Sequence, residues 1–323
     1  MIFLTGAGGF FGSHLLQRLL QWDEPIRLLV RSKQKFFCAY PHLTGNLQID
    51  FIEIDLSRQP VTPEMLAGAD KIVHAAAMVS LSSEQFEQMK RVNVIATESI
   101  LNAMPANAYL LFLGSVVVYG PTGTTPIDET HPFPDVALSP YEATKRSATS
   151  LVRNKIQSGF HCGILHPGII YGTGAHGSLT RFAQAVTRKR LPIIAGADTL
   201  ASFVAIDDVV ECAVQMLNRH EESELIATGE VSSLQGFLEE IAQQSGGKAP
   251  CYNLSAKMLE KVFILPSALF RMFGGTFPLT PTLLRVAQHH WAFQSDKAKN
   301  RLGVHFRNNR EGIATWLSGG TLH

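Results

Sequence analysis

The chain has 323 residues, a formal net charge of +1 and 17% charged side chains. That balance supplies no field for nucleic acid or an anionic membrane, and the length allows one large or two modest domains around a substantial core. Four cysteines (Cys38, Cys162, Cys212, Cys251) lie scattered without CxxC spacing, which suits free thiols, buried as small hydrophobes, in a reducing compartment.

Residues 2–16 read as a short buried strand, a glycine turn and an apolar helix beginning near Phe10. A strand starting at Ile2 leaves no room for a signal peptide, and no run reaches the roughly 18 apolar residues of a membrane span. The expectation is a cytoplasmic protein without an integral membrane segment. Gly6, Gly9 and Gly12 fall three apart inside this strand–turn–helix frame. The first permits a tight turn, the second lets backbone approach a pyrophosphate, and the third lets helix pack on strand. The helix start adds unpaired N–H groups and a positive dipole end, so this is a dinucleotide site.

Further strands are expected at Ile26–Val30, 47–54, 71–77, Tyr109–Leu113 and 161–165, with helices over 86–103, 141–157 and 207–217. Strands alternating with helices imply βαβ units, an α/β fold with a mainly parallel, doubly wound sheet. Residues 1–172 form the dinucleotide-binding domain, with 207–224 returning to it. Residues 173–206 and 225–323 form a smaller, mostly helical substrate lobe. The apolar stretch 259–277 reads as a core or pocket-wall helix. His289 and His290 are adjacent and point apart, with no third ligand in register, so no metal site is expected.

Tyr141 and Lys145 stand four apart on a predicted helix, which puts both on one face. A tyrosine of pKa about 10 is a poor acid–base group at neutral pH. A lysine cation ~4 Å away is worth up to ~4 kcal/mol at an effective dielectric of ~20, enough to lower that pKa by as much as ~3. Ser115 sits just past the Tyr109–Leu113 strand, at the carboxyl edge where doubly wound sheets hold ligands. Its hydroxyl can orient a substrate carbonyl against the tyrosine. Arg31 ends the second strand, where a site for NAD usually places a carboxylate, and Lys33 and Lys35 follow. A guanidinium there pairs with a 2′-phosphate, so NADP(H) is favoured over NAD(H), with Arg31 as discriminator and Lys33 or Lys35 assisting.

The set TGAGGFFG (5–12), IDL (54–56), HAAA (74–77), VNVIAT (92–97), GSVVVYG (114–120), YEATK (141–145), HPGIIYG (166–172) and FVAIDD (203–208) resembles the extended short-chain dehydrogenase/reductase superfamily, the NAD-dependent epimerase/dehydratase family. The tail, 289–303, is similar to its 3β-hydroxysteroid dehydrogenase and dihydroflavonol reductase branches. The resemblance implies a Rossmann fold with Ser115, Tyr141 and Lys145 as catalytic triad. It implies cofactor contacts at Gly6, Gly9, Phe10, Phe11, Gly12, Asp55, Leu56, Ala75, Ala76, Ala77, Asn93, Pro167 and Gly168, besides Tyr141 and Lys145. It also implies a homodimer formed through helices flanking the sheet.

Departures from the family pattern narrow the reaction. Val116 and Val117 stand where sugar-nucleotide dehydratases carry an acid pair, and Ala201 where sugar-nucleotide enzymes tend to place an arginine. His166 replaces a common arginine, and Gly114 replaces a common serine at no expected cost. The expected function is NAD(P)-dependent reduction of a carbonyl, or oxidation of an alcohol, on an apolar small molecule. The alternatives are a nucleotide-sugar epimerase using the same triad, and a dinucleotide-sensing protein that does no chemistry.

Overall fold

In the computed structural model, which describes residues 1–190, 198–250 and 286–320 and the backbone of Ile193–Ala195 and Tyr252–Leu254, a seven-stranded sheet carries the fold. Its strands are β1 (Ile2–Thr5), β2 (Ile26–Val30), β3 (Ile49–Glu53), β4 (Lys71–His74), β5 (Tyr109–Leu113), β6 (Cys162–Pro167) and, from further along the chain, β10 (Glu224–Ala227). They lie in the order β3-β2-β1-β4-β5-β6-β10, and every pairing is parallel. Alternation along each strand feeds two apolar layers. Ile2 and Leu4 join α1 (Phe10–Leu19) and α7 (Ile206–Arg219) on one face. Phe3 joins α4 (Ala96–Ala103) and α5 (Pro140–Gln157) on the other. This is a doubly wound Rossmann-like fold. Its strand order reverses between β1 and β4, and the crevice outside their carboxyl ends is where such sheets bind ligands.

The remaining chain builds a second layer of structure. Strands β7 (Ile169–Tyr171), β9 (Leu200–Ala205) and β11 (Val231–Ser233) form a three-stranded sheet, and β8 (Ile193–Ala195) pairs with β12 (Tyr252–Leu254). The three-stranded sheet packs under α6 (Ser178–Thr187), α8 (Leu234–Ser245) and the helix Asn309–Ser318, around the stacked rings of Phe203 and Phe237 at 4.1 Å. These small sheets accompany the expected helices. Their strands are three to six residues long and pair across long gaps in sequence, so local periodicity does not announce them.

Several expected elements differ in extent or form. The strand expected over 71–77 ends at His74, because Ala75–Ala77 leaves the sheet to line the crevice. The strand expected over 161–165 runs to Pro167, and the return of the chain extends past 224, because β10 pairs with β6 as far as Ala227↔Pro167. The helix expected over 86–103 contains a π-helical turn, Arg91–Ile95, between α3 (Phe86–Lys90) and α4. The basic residues after Arg31 open a helix, α2 (Lys33–Ala39), capped by the Ser32 hydroxyl. The stretch 259–277 and Cys251 lie outside the described residues. Cys162 and Cys212 are buried, whereas Cys38 is exposed, contrary to its reading as a small core residue. His290 accepts the Leu200 amide through Nδ1 at 3.0 Å. Among the described residues no helix is long and apolar enough to cross a membrane.

Candidate active site

The glycine turn between β1 and α1 is shaped by close approach. At Gly6, with φ +76°, an added Cβ would lie 2.7 Å from the backbone of Ala75 and Ala76, and at Gly12 it would lie 2.1 Å from the Gly6 carbonyl oxygen. Gly9 caps α1 without any side-chain hydrogen bond. The first intrahelical bond is Ser13 N–H to the Gly9 carbonyl at 2.9 Å, so the amides of Phe10, Phe11 and Gly12 have no helical acceptor. The Phe11 side chain is buried in the core and Phe10 meets His14 edge-on. Their amides, not their rings, are what they offer a ligand. Beside them a Cβ at Gly8 would meet nothing within 4 Å.

This turn forms one wall of a cleft of about 830 Å³. The other walls are Leu29–Ser32, Lys35, Phe36, Tyr40, residues 54–58 and residues 75–78. The cleft therefore gathers Gly6, Gly9, Arg31, Asp55, Leu56 and Ala75–Ala77. Hydrogen bonds from the Ser57 hydroxyl and amide, at 2.7 and 3.0 Å, hold the Asp55 carboxyl below its ordinary pKa. Arg31 is exposed on the wall beside Ser32 and Lys35, whereas the Lys33 ammonium lies over the Phe51 ring at 5.1 Å. Of the two assisting lysines, only Lys35 faces the cleft. Sequence reasoning missed Phe36, Tyr40 and Arg58 in the lining. The signal was present, since Ser32 ahead of the Phe36-Phe37 pair is an N-cap pattern. An uncapped helix start, an open wall at Gly8 and a basic margin fit the phosphates of a dinucleotide.

A buried polar chain fixes the floor of the cleft. The Ala76 N–H reaches Thr5 Oγ1 at 3.1 Å, and Thr5 Oγ1 lies 2.8 Å from His74 Nδ1. His74 Nε2 lies 2.9 Å from Thr97 Oγ1, which donates to the Asn93 carbonyl at 2.7 Å. Every partner is satisfied when His74 is neutral with its proton on Nε2. Burial agrees, pushing the His74 pKa down to about 3. Asn93 itself is spoken for. Its amide donates to the Met78 carbonyl at 2.9 Å and Thr144 Oγ1 at 3.0 Å, and its oxygen accepts the Met78 N–H at 2.8 Å. It ties the loop after β4 to α5, and the π turn is where it sits.

Ser115, Tyr141 and Lys145 converge beyond the carboxyl end of β5. Ser115 caps the short turn Val116–Tyr119, its hydroxyl accepting the Val117 N–H, and its side chain lies near enough to Tyr141 to draw the phenol's pKa downward. Ser139 caps α5, accepting the Glu142 N–H at 3.2 Å with Pro140 in the first turn. Glu142 then accepts the Leu138 N–H at 2.9 Å and pairs with Arg146, anchoring the preceding loop. Lys145 is buried, donates to the Leu113 carbonyl at 2.6 Å and lies 4.5 Å over the Phe112 ring. Desolvation governs both titrating groups. It pushes Tyr141 up to about 12, against a smaller downward pull from Ser115, and Lys145 down to about 7. The expected depression of the tyrosine by its lysine is thus corrected: a lysine this buried is itself only partly charged at neutral pH. Pro167 ends β6 next to β5, and the Gly168 N–H is held by the Ala227 carbonyl at 3.0 Å.

A doubly wound sheet with an open glycine-turn cleft at its reversal point defines a Rossmann-like α/β protein. Residues 2–228 match the NAD dependent epimerase/dehydratase family, and the chain belongs to that family. It is 26% identical over 309 residues to the 4-hydroxy-2-methyl-3-oxo-4-farnesyl-3,4-dihydroquinoline-1-oxide ketoreductase of Stigmatella aurantiaca, covering 93% of this chain and 90% of that one. It is 24% identical to a 3β-hydroxysteroid-dehydrogenase/decarboxylase of Arabidopsis thaliana, over 93% of this chain and 74% of that one. The crystal structure of UDP-glucuronic acid 4-epimerase from Bacillus cereus in complex with NAD superposes with a TM-score of 0.77 at 20% identity, covering 98% of this chain and 97% of that one. That likeness shows the fold.

Proposed function

We propose that this protein is an NADP(H)-dependent oxidoreductase that reduces the carbonyl of an apolar small molecule, or oxidises the corresponding alcohol. The observation that carries the reading is the convergence of Ser115, Tyr141 and Lys145 at the sheet edge beside a dinucleotide cleft. A bound nicotinamide dinucleotide supplies the hydride. Gly9 and the amides of Phe10 and Phe11 hold its phosphates, with Asp55, Leu56 and Ala75–Ala77 as the facing wall. Ser115 donates a hydrogen bond to the substrate carbonyl oxygen and orients it. Tyr141, protonated throughout the neutral range with its pKa at about 12, gives its proton to that oxygen. Lys145, one turn along the same face, stabilises the tyrosinate left behind when it carries its charge.

Support for an apolar substrate comes from the ketoreductase and hydroxysteroid relatives and from Val116, which is buried where an acid would be needed for dehydration. The epimerase reading keeps the same three residues and is favoured by the family and by the UDP-glucuronic acid 4-epimerase fold. Ala201, buried against the strand rather than offering a cation to a diphosphate, weighs against it. Arg31, Ser32 and Lys35 on the cleft margin support NADP(H). A charge-assisted pair with a 2′-phosphate is worth ~1.5–3 kcal/mol, or about ten- to a hundredfold in affinity. The test is turnover of NADPH and NADH with lipophilic ketones, alongside calorimetry with UDP- and dTDP-sugars. Ketone turnover with NADPH preferred, and that preference lost in Arg31→Ala, is the expected result. Micromolar binding of a nucleotide sugar without ketone turnover would favour the epimerase.

A further inference from the structure

Behind the Ser115 main chain lies a polar cluster built around a fully buried histidine, with Glu224 and Arg153 leading from it towards the surface. His166, on β6, is 0% exposed. Its Nδ1 lies 3.0 Å from the Ser115 amide nitrogen and its Nε2 2.9 Å from Glu224 Oε1. Glu224, on β10, also receives Arg153 as a fork at 2.7 and 2.8 Å and the Tyr119 hydroxyl at 2.8 Å. The Arg153 guanidinium lies 3.9 Å over the Phe133 ring, and the Tyr119 ring meets His166 edge-on at 5.4 Å.

The protons in this cluster can be placed by elimination. Glu224 is desolvated, yet hydrogen bonds from His166, Arg153 and Tyr119 outweigh that and hold its carboxyl far below the usual range. An ionised carboxylate only accepts, so His166 Nε2 carries a hydrogen. Burial holds the His166 pKa below its ordinary value, Lys145 and Arg153 adding to it and Glu224 opposing. The ring is then neutral, and Nδ1 has a lone pair. The Ser115 carbonyl also lies 3.1 Å from Nδ1, but a lone pair can bond only the Ser115 N–H. Gly114 belongs to the same arrangement. A Cβ there would lie 2.2 Å from His166 Nδ1 and 2.5 Å from Cε1. The imidazole occupies the space that a side chain at 114 would fill, so the glycine is a condition of the histidine rather than a neutral replacement.

We propose that His166, oriented by Glu224 and admitted by Gly114, fixes the Ser115 main chain and so aims its hydroxyl at the substrate carbonyl. His166 is a positioning residue, and the proposal rests on the reading of Ser115 given above. His166→Asn retains an acceptor at the place of Nδ1, His166→Gln retains only the reach to Glu224, and His166→Leu retains neither. Amide exchange at Ser115, measured on the protein alone, is expected to stay slow in His166→Asn. It should quicken at least about tenfold in His166→Gln and Gly114→Ala. In ketone reduction, His166→Gln and Gly114→Ala should lose about ten- to a hundredfold in kcat, with KM and NADPH affinity within about threefold, while His166→Asn recovers most of the rate. Equal behaviour of the Asn and Gln variants, or unchanged Ser115 exchange in Gly114→Ala, would overturn the proposal. The Asn–Gln comparison decides the matter even where His166→Leu does not fold. Ketone turnover that survives Tyr141→Phe would instead strike the functional reading, while Ser115 exchange in the Asn and Gln variants still tests His166 independently.

Discussion

Tyr141 and Lys145 share one face of α5, but their proton affinities are set by burial more than by each other. With Tyr141 at about 12 and Lys145 at about 7, the signs follow directly. Tyr141 is an acid with a raised pKa, so it keeps its proton at neutral pH, and in the proposed reduction it has that proton to give. Alcohol oxidation needs the tyrosinate, so its rate should rise with pH well past neutrality. Lys145 loses its charge as pH rises through about 7, and a cation beside the developing tyrosinate favours proton release. Reduction should therefore slow as pH rises through that value, and Lys145→Met should erase the step. An ultraviolet titration of the unliganded protein, compared with Tyr141→Phe, should place the Tyr141 transition above the ordinary tyrosine value of about 10. A transition near neutrality would restore the lysine-driven depression that the YxxxK spacing alone suggests. Spacing reveals which side chains share a face, but desolvation depends on what the rest of the chain packs around them. For the same reason Gly114 reads as harmless in the sequence, and only the His166 ring beside it shows why a side chain is excluded.

At the scale of elements, the β1–turn–α1 unit separates two roles that look alike in the GxxGxxG pattern. Gly12 lies under its own fold, with the Gly6 carbonyl where its Cβ would be, whereas Gly9 meets only that carbonyl, at 3.2 Å, and otherwise faces the cleft. Gly12→Ala should therefore destabilise the fold, by about 1–3 kcal/mol for an overpacked site. Gly9→Val should keep most of its stability and lose NADPH binding. Thermal unfolding and calorimetry on the pair check this, and a Gly9→Val protein with unchanged NADPH affinity would contradict it. Most of the main sheet was legible because parallel strands buried on both faces are continuous apolar runs. What escaped were features tied to distant partners: the extension of β6 by β10, the π turn that carries Asn93, and the short strands of the second lobe. The helix after Arg31 escaped because its charged first turn hid the cap at Ser32. Recognising it turns a basic loop into one wall of the cleft.

Over the whole molecule, two partly independent constructions meet at one edge of the sheet. The crossover between β1 and β4 creates the cleft, and α5 carries Tyr141 and Lys145 across the end of β5 to Ser115. The glycine, Asp55 and Ala75–Ala77 positions were readable because each sits at a strand end whose place in a doubly wound sheet is fixed by topology. The sequence pattern of the second lobe is irregular, so the proposed substrate class rests on Val116, Ala201 and the relatives. The central claim is that hydride moves from the nicotinamide to a ketone while Tyr141 supplies the proton. Single-turnover reduction of a lipophilic ketone with NADPH carrying deuterium at both C4 positions of the nicotinamide, in wild type and Tyr141→Phe, tests it most directly. Wild type should place deuterium on the carbinol carbon, and Tyr141→Phe should react at least about a hundredfold more slowly, with NADPH affinity within a few-fold. Unlabelled alcohol, or a Tyr141→Phe rate within about tenfold of wild type, would contradict it.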